Sequence, residues 1–512
     1  MDSDNIINKD EAEPTSVDHN LKHKNIRKIA FQFYAFALGC LLCQGTTMSV
    51  SSLQSSINIQ QSIGTKTLGS SKLASVLAGL FCTPLLIRKL GYKWALVLGE
   101  AIAIIFVAAN FYPAPYVMIP VGILHGIGSS LVWTILPIYN LIFGQLHGSY
   151  GRKHYDYYGR KYTSQFYAIL RSGRIFASII SYGVLYGTRQ ELPKESATKN
   201  GTDSSIETLL GGKYENCGAN DCQDPNVTIS TLDKYVPPNA LSIYLLMGTF
   251  CVINVFAVVV HAKFLVNVKV TDKILVSDGM PTKNGNDDVV KSKSSETFLK
   301  TLKDTLRHAK TLKQILLFPF LLYLGLHMAF IFSEMNRAFA SCILGVEMVG
   351  LVLIAHDLSY ILASLVSGKI IGFLGRNFTI AFAMALDISN YLFCKFWQAN
   401  ENTTGLVYLA FVGFGASDAL WKNCSVSIYS DYFRKEREIS FSVRNVCITI
   451  GVTVGYLWSP LLCVGVKIYI QLILLIVSIL AYGFAEFIYK KERITNIESS
   501  DDTGNEKTKD IL

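Results

Sequence analysis

Charge is scarce in this chain: only 17% of its 512 residues are Asp, Glu, Lys or Arg, while 50% are hydrophobic. A soluble protein of this length would divide into about three domains, each with a charged rind, and there is too little charge here to coat them. Other absences narrow the function. The chain has no Gly-x-x-x-x-Gly-Lys-Ser/Thr phosphate loop and no His-Glu-x-x-His zinc pair. It also has no Gly-x-Ser-x-Gly elbow. ATP-driven pumping and hydrolysis therefore have no visible machinery, nothing calls for a cofactor or a metal, and the expectation is a protein that is not an enzyme. The Gly-Tyr-Gly triad whose carbonyls line potassium filters is missing too, which argues against a potassium pore. No cleavable signal peptide is evident, because Met1–Lys28 is polar and lacks a short apolar core. The first apolar run is expected to serve as its own insertion signal.

What the chain does have is apolar residues in long blocks. Runs near 20 residues suffice to cross a bilayer, and they fall at about 29–50, 71–87, 93–111, 115–141, 164–188, 241–262, 314–333, 348–368, 378–397, 405–429, 439–463 and 467–489. The runs show no period-2 alternation, and only helices or closed barrels satisfy the backbone in lipid. The fold expected is therefore an all-α polytopic membrane protein with twelve transmembrane helices. An even number of spans puts both termini on one side. Lys and Arg decide which: 33 of the 47 fall in segments that face the cytoplasm if the N-terminus does. The same asymmetry explains the net charge of +9 as a membrane feature rather than a nucleic-acid footprint. The glycosylation triplets beginning at Asn200, Asn226 and Asn402 all fall in segments expected outside. Both termini are thus expected in the cytoplasm, in a membrane of the secretory pathway, with the plasma membrane favoured over endosomes.

The chain repeats itself. Pro84-Leu-Leu-Ile-Arg-Lys-Leu-Gly-Tyr-Lys93 and Gly368-Lys-Ile-Ile-Gly-Phe-Leu-Gly-Arg-Asn377 each carry an apolar helix into Leu-Gly followed by a fresh span. Gly126-Ile-Gly-Ser-Ser-Leu-Val-Trp133 echoes Gly413-Phe-Gly-Ala-Ser-Asp-Ala-Leu-Trp421. Both pairs lie about six spans apart. Two six-helix halves, 29–262 and 314–489, joined by a polar 263–313 linker and flanked by polar tails 1–28 and 490–512, resemble the parallel-repeat plan of major facilitator transporters.

Ionisable residues inside spans are the informative ones, since a charge in hydrocarbon costs about 2.5 kcal/mol or more unless paired or hydrated. Asp357, Asp387 and Arg174 each lie about ten residues into a span, or roughly 15 Å at 1.5 Å per residue, and Asp418 lies just past the middle of its own. Two roles compete for them: a polar cavity that binds a cation or shuttles protons, and ion pairs that lock helices together. Glu334 and Arg337, spaced i, i+3, face the same way on a helix at the expected outer mouth, as a gate, a docking point or a self-satisfied pair. Arg171 and Arg444 start within two turns of the cytoplasm and are expected to snorkel. Of 11 cysteines, most sit in apolar runs and read as packing residues. Cys217 and Cys222 are the closely spaced pair in the large outside loop at 189–240. A disulfide between them is expected, since two ligands without a nearby His do not make a zinc site.

Several stretches together resemble one branch of the major facilitator superfamily, the uncoordinated-ninety-three (Unc-ninety-three) family, and its A-type homologues in particular. They are Leu53-Gln-Ser-Ser-Ile-Asn58, Pro84-Leu-Leu-Ile-Arg-Lys-Leu-Gly-Tyr-Lys-Trp94, Cys217-Gly-Ala-Asn-Asp-Cys222, Ser333-Glu-Met-Asn-Arg-Ala-Phe-Ala-Ser-Cys342 and Ser417-Asp-Ala-Leu-Trp421, in the family's order. The resemblance spans about residues 22–493. It implies a non-catalytic regulator of a potassium channel, the two-pore-domain class being the partner, or an escort of membrane receptors. The superfamily fold implies the rival function, a secondary transporter of a small solute or ion by alternating access. Lys422, Arg171 and Arg174 stand where the family usually has uncharged polar residues.

Overall fold

In a bilayer every backbone N–H and C=O must be satisfied within the protein, and a helix does this within one segment. The computed structural model describes residues 16–150, 155–190, 214–222, 240–266, 307–433 and 437–509, and within them there is no β-strand. The long helices are α1 (Ser16–Ile57), α2 (Ile63–Phe81), α3 (Thr83–Ala108), α4 (Pro115–Gly148), α5 (Tyr155–Gln190) and α6 (Ala240–Phe264). They are followed by α7 (Leu312–Ala329), α8 (Val349–Leu374), α9 (Arg376–Phe396), α10 (Leu406–Tyr432), α11 (Arg437–Leu457) and α12 (Val464–Lys509). Among the described residues, nine helical segments are long and apolar enough to cross a membrane, so this is a multi-pass membrane protein. The three expected spans outside that set belong to α2, α9 and α10. Asp387 in α9, and Asp418, Lys422 and Asn423 in α10, reduce the apolarity of their helices. The helical bounds overrun the expected tails, since α1 begins at Ser16 and α12 runs to Lys509. Most of the expected linker, together with Asn200 and Asn226, lies outside the described residues.

The Leu-Gly repeats have a shared backbone role. Gly91 (φ 74°, ψ 168°) interrupts α3 and Gly375 (φ 86°, ψ 163°) separates α8 from α9. Both occupy a region essentially closed to residues with a Cβ, which is why each sharp reversal between spans is written as Leu-Gly. The boundary between α2 and α3 at Cys82 is not a reversal: its backbone is right-handed helical (φ −92°, ψ −40°), its N–H donates to the Ala78 carbonyl, and Thr83-Pro84 follows with a proline in the first turn of α3, where no N–H is needed. Helix packing repeats in the same way. Gly45 of α1 meets the Gly173 backbone of α5, and six helices on, Gly325 of α7 meets the Ile448 and Gly451 backbone of α11, so closely that a Cβ on either would collide. In lipid, where apolar surface gains little by leaving its surroundings, such close small-residue contacts hold helices together.

Helix α7 does not stop at Ala329 but widens into a π-helix over Phe330–Leu344. Every one of its residues up to Ile343 is buried, against α1, α8, α10 and the segment 214–222. Its Phe332 ring lies 4.6 Å from the Arg174 guanidinium, and Glu334 and Arg337 lie along it, so it borders two parts of the candidate site.

Candidate functional site

Three of the four residues expected at mid-membrane, Arg174, Asp357 and Asp418, come together. Helix α5 supplies Arg174, whose Nε and Nη2 donate to the two oxygens of Asp357 on α8. The geometry is the planar fork that suits guanidinium and carboxylate. His356 Nδ1 lies 3.1 Å from Asp357 Oδ1. Asp418 on α10 accepts from Lys422 Nζ at 2.8 Å, one turn further along the same helix. Arg171, one turn before Arg174, sits 3.9 Å from Asp357 and 4.0 Å from Asp418, and its guanidinium lies 3.6 Å from the Tyr360 ring centroid. Arg171 therefore turns inward rather than snorkelling, because two carboxylates and an aromatic face await it. Arg444 also turns inward, donating to Ser425 Oγ at 2.6 Å. Within this cluster three cations face two carboxylates, and both carboxylates are committed to cations.

Asp387 stands apart. Its Oδ2 accepts from the Tyr323 hydroxyl and, at 2.6 Å, from the Trp421 indole N–H. His327 Nδ1 is 3.7 Å away and itself meets the Tyr391 hydroxyl at 2.9 Å. The single four-residue cavity expected from depth alone thus divides into an ionic cluster joining α5, α8 and α10 and an aromatic cage holding Asp387 between α7, α9 and α10. Depth fixes the height of a residue but not the direction of its side chain, and the rotation of each helix separates them. His356, Tyr323 and His327 went unread in the sequence, where a neutral residue in an apolar run carries no charge signal, and Trp421 stood out only as the end of a repeat and of a family motif, not as a partner of Asp387.

At the other end, Glu334 and Arg337 do pair, at 2.8 Å, yet they are not a pair at the lipid interface. Both are buried. Glu334 also takes Lys467 Nζ of α12 at 2.8 Å and the Ser459 hydroxyl at 2.6 Å, while Arg337 reaches Asp221 of segment 214–222. Among the described residues, two acids and two bases meet around the end of the π-helix. Asn336 Nδ2 donates to the Ser52 carbonyl of α1 at 3.0 Å, and the Ser341 and Ser56 hydroxyls lie 2.7 Å apart.

The expected Cys217–Cys222 loop is not what forms. Cys217 is bonded to Cys342 at the end of the π-helix, and Cys222 to Cys463 just before α12. Between them Gly218 turns at φ +68° into a short 3-10 helix, Gly218–Asn220. The two sulfurs thereby point to different elements, and the Val464 N–H donates to the Asp221 carbonyl at 2.9 Å. Cys342 and Cys463 close apolar runs and so had the look of packing residues. Asn402, in the turn after α9, is exposed. Arg376, next to the Gly375 turn, binds Asp431 at 2.8 Å and Glu486 at 2.5 Å and tethers α9 to α10 and α12.

Comparisons with known proteins agree with this architecture. A family model described as ion channel regulatory protein UNC-93 matches residues 68–485. Protein unc-93 homolog A of Xenopus laevis is 27% identical over 485 residues, covering 94% of this chain and 97% of the relative. The human protein of the same name is 28% identical, covering 90% and 93%. A Caenorhabditis elegans protein, unc-93, whose name attaches it to potassium channel regulation, is 21% identical over 84% of this chain and 57% of its own length. Among solved structures, a D-xylose–proton symporter matches with TM-score 0.53 at 12% identity, covering 88% of this chain and 95% of that one. A partially occluded, inward-open form of the xylose transporter XylE from E. coli matches with TM-score 0.52 at 12% identity, covering 90% and 99%. At that identity the likeness concerns the fold, which is that of the major facilitator transporters.

Proposed function

This chain belongs to the UNC-93 family, and from that premise we propose that it is a non-catalytic regulator of a potassium channel, acting as a membrane-embedded accessory partner. The observation that carries the reading is the family match over residues 68–485. The ionic cluster supports it. A cation or proton carrier needs a carboxylate free to exchange its partner, whereas Asp357 and Asp418 are held by Arg174 and Lys422, with Arg171 between them. Such a cluster suits a scaffold whose helices must keep their rotation while the outer surface meets a second membrane protein. We assign the partner to the two-pore-domain class and the protein to the plasma membrane, with both termini cytoplasmic and the chain arranged as two six-helix halves. The disulfides, which require an oxidising compartment, support placing segment 214–222 outside, and the twin Leu-Gly reversals support the two halves.

The transporter reading has one observation in its favour: the Arg174–Asp357 pair joins α5 of the first half to α8 of the second, where alternating access would make and break contacts. Whole-cell voltage clamp decides between the two. Cells expressing this protein alone are compared with cells that also express a two-pore-domain potassium channel, with surface channel density measured in parallel. Regulation appears as a potassium current changed only when the channel is present. A current or solute-dependent signal from the protein alone, abolished by Asp357→Asn or Asp418→Asn at equal surface level, would overturn it.

A further inference from the structure

Away from the central cluster, α1, α3 and α6 bring a thiol, a carboxylate and an imidazole to one buried point. One ligand atom each from Cys40, Glu100 and His261 lies within 4.8 Å of the others, and all three residues are 0% exposed. We propose that these residues bind one thiophilic divalent cation, zinc being the best fit, which staples the three helices together.

Several observations bear on this. The donor set is one sulfur, one nitrogen and one oxygen, of the kind zinc accepts. His261 Nε2 lies 2.9 Å from the Phe36 carbonyl oxygen, and since a carbonyl only accepts, that nitrogen carries a proton. Donation of the outer N–H to a backbone carbonyl is the usual support for a metal-ligating histidine, because it leaves the other nitrogen's lone pair facing the ion. That other nitrogen, Nδ1, faces Glu100 Oε2 at 2.7 Å. Gly39, one residue before Cys40, leaves the space the ring fills, and a Cβ there would collide with it. The imidazole is therefore set in orientation before any ligand arrives. Glu100 Oε1 is buried without a hydrogen-bond partner, an omission that a pure hydrogen-bond lock would not need.

Charge favours the ion as well. Binding displaces the Cys40 thiol proton and the proton shared by Glu100 and His261. The products are two anionic ligands, one neutral imidazole and one divalent cation, with no net charge left in the membrane interior. Tetrahedral bonds near 2.0 Å require Nδ1 and Oε2 to part to about 3.3 Å, a small side-chain adjustment.

The test uses the full chain purified in detergent, loaded with zinc alone and dialysed into metal-free buffer, with retained metal counted by mass spectrometry. About one zinc per chain is expected, with affinity reduced at least tenfold in Cys40→Ser and Glu100→Gln and unchanged in Cys82→Ser, which removes an exposed thiol. Cobalt loaded in place of zinc should give a near-ultraviolet thiolate charge-transfer band that Cys40→Ser abolishes. Should the Cys40 variant fail to elute as a single species, the wild-type cobalt spectrum and Glu100→Gln still decide. No retained zinc in monodisperse wild-type protein, or retention that follows Cys82 instead of Cys40, would reduce the cluster to a Glu100–His261 hydrogen bond.

Discussion

Arg174 and Asp357 are each the condition for burying the other. A carboxylate with 0% exposure, left without the guanidinium that binds both its oxygens, keeps only His356 at 3.1 Å and Arg171 at 3.9 Å, and breaking such a pair from one side costs about 3–5 kcal/mol. Arg174→Leu should therefore lower the thermal stability of the detergent-solubilised protein sharply, and Arg174→Leu combined with Asp357→Leu should recover much of the loss. Fluorescence-detected gel filtration after heating measures both. If the double variant is no better than the single one, the pair is not what makes the cluster stable. Lys467 makes the same point at the end of the π-helix. Lys467→Met removes the ammonium 2.8 Å from the buried Glu334 carboxylate and should cost more than Asn402→Gln, which touches only an exposed turn. The same thermal assay compares the two.

At the scale of an element, the end of the π-helix is tied by chemistry that sequence spacing concealed. Non-reducing peptide mapping should recover fragments linking Cys217 to Cys342 and Cys222 to Cys463. A fragment closed between Cys217 and Cys222 would show the local loop instead and detach segment 214–222 from the π-helix and α12. The reversals between helices give a second measurement. Gly375→Ala forces a Cβ into a backbone region nearly reserved for glycine, and should destabilise by about 1–3 kcal/mol. Gly248→Ala sits mid-helix in α6 with open space around it, so it should be neutral or slightly stabilising, as helix propensity predicts. Equal effects at the two sites would mean that the Gly375 turn is not under this constraint.

Across the whole molecule, sidedness is what connects structure to partner. If segment 214–222 and Asn402 face outside, Asn402→Gln should remove one glycan, seen as a faster-migrating band whose difference disappears on enzymatic deglycosylation. Epitope tags at the two termini should be accessible to antibody only after permeabilisation. A terminal tag stained on intact cells would invert the topology, and with it the surface available to a channel's extracellular face.

Composition and patterning were enough to recognise a helical membrane protein, because hydrocarbon leaves the backbone so few solutions that long apolar runs have one reading. The Leu-Gly reversals were legible for a similar reason: a positive-φ turn admits almost no other residue. The intramembrane charges were legible as important, since their burial is costly in any arrangement. Their grouping was not. Asp357, Asp418 and Asp387 lie at similar depth, yet the rotation of α8, α9 and α10 sends two toward arginines and one into a cage of Tyr323, His327 and Trp421. Cysteine pairing was hidden too, because sulfurs 125 and 241 residues from their partners meet through helix packing and leave no trace in local spacing. Which side chains face one another across helices is settled when the bundle assembles, and the three-helix junction of Cys40, Glu100 and His261 is visible only there.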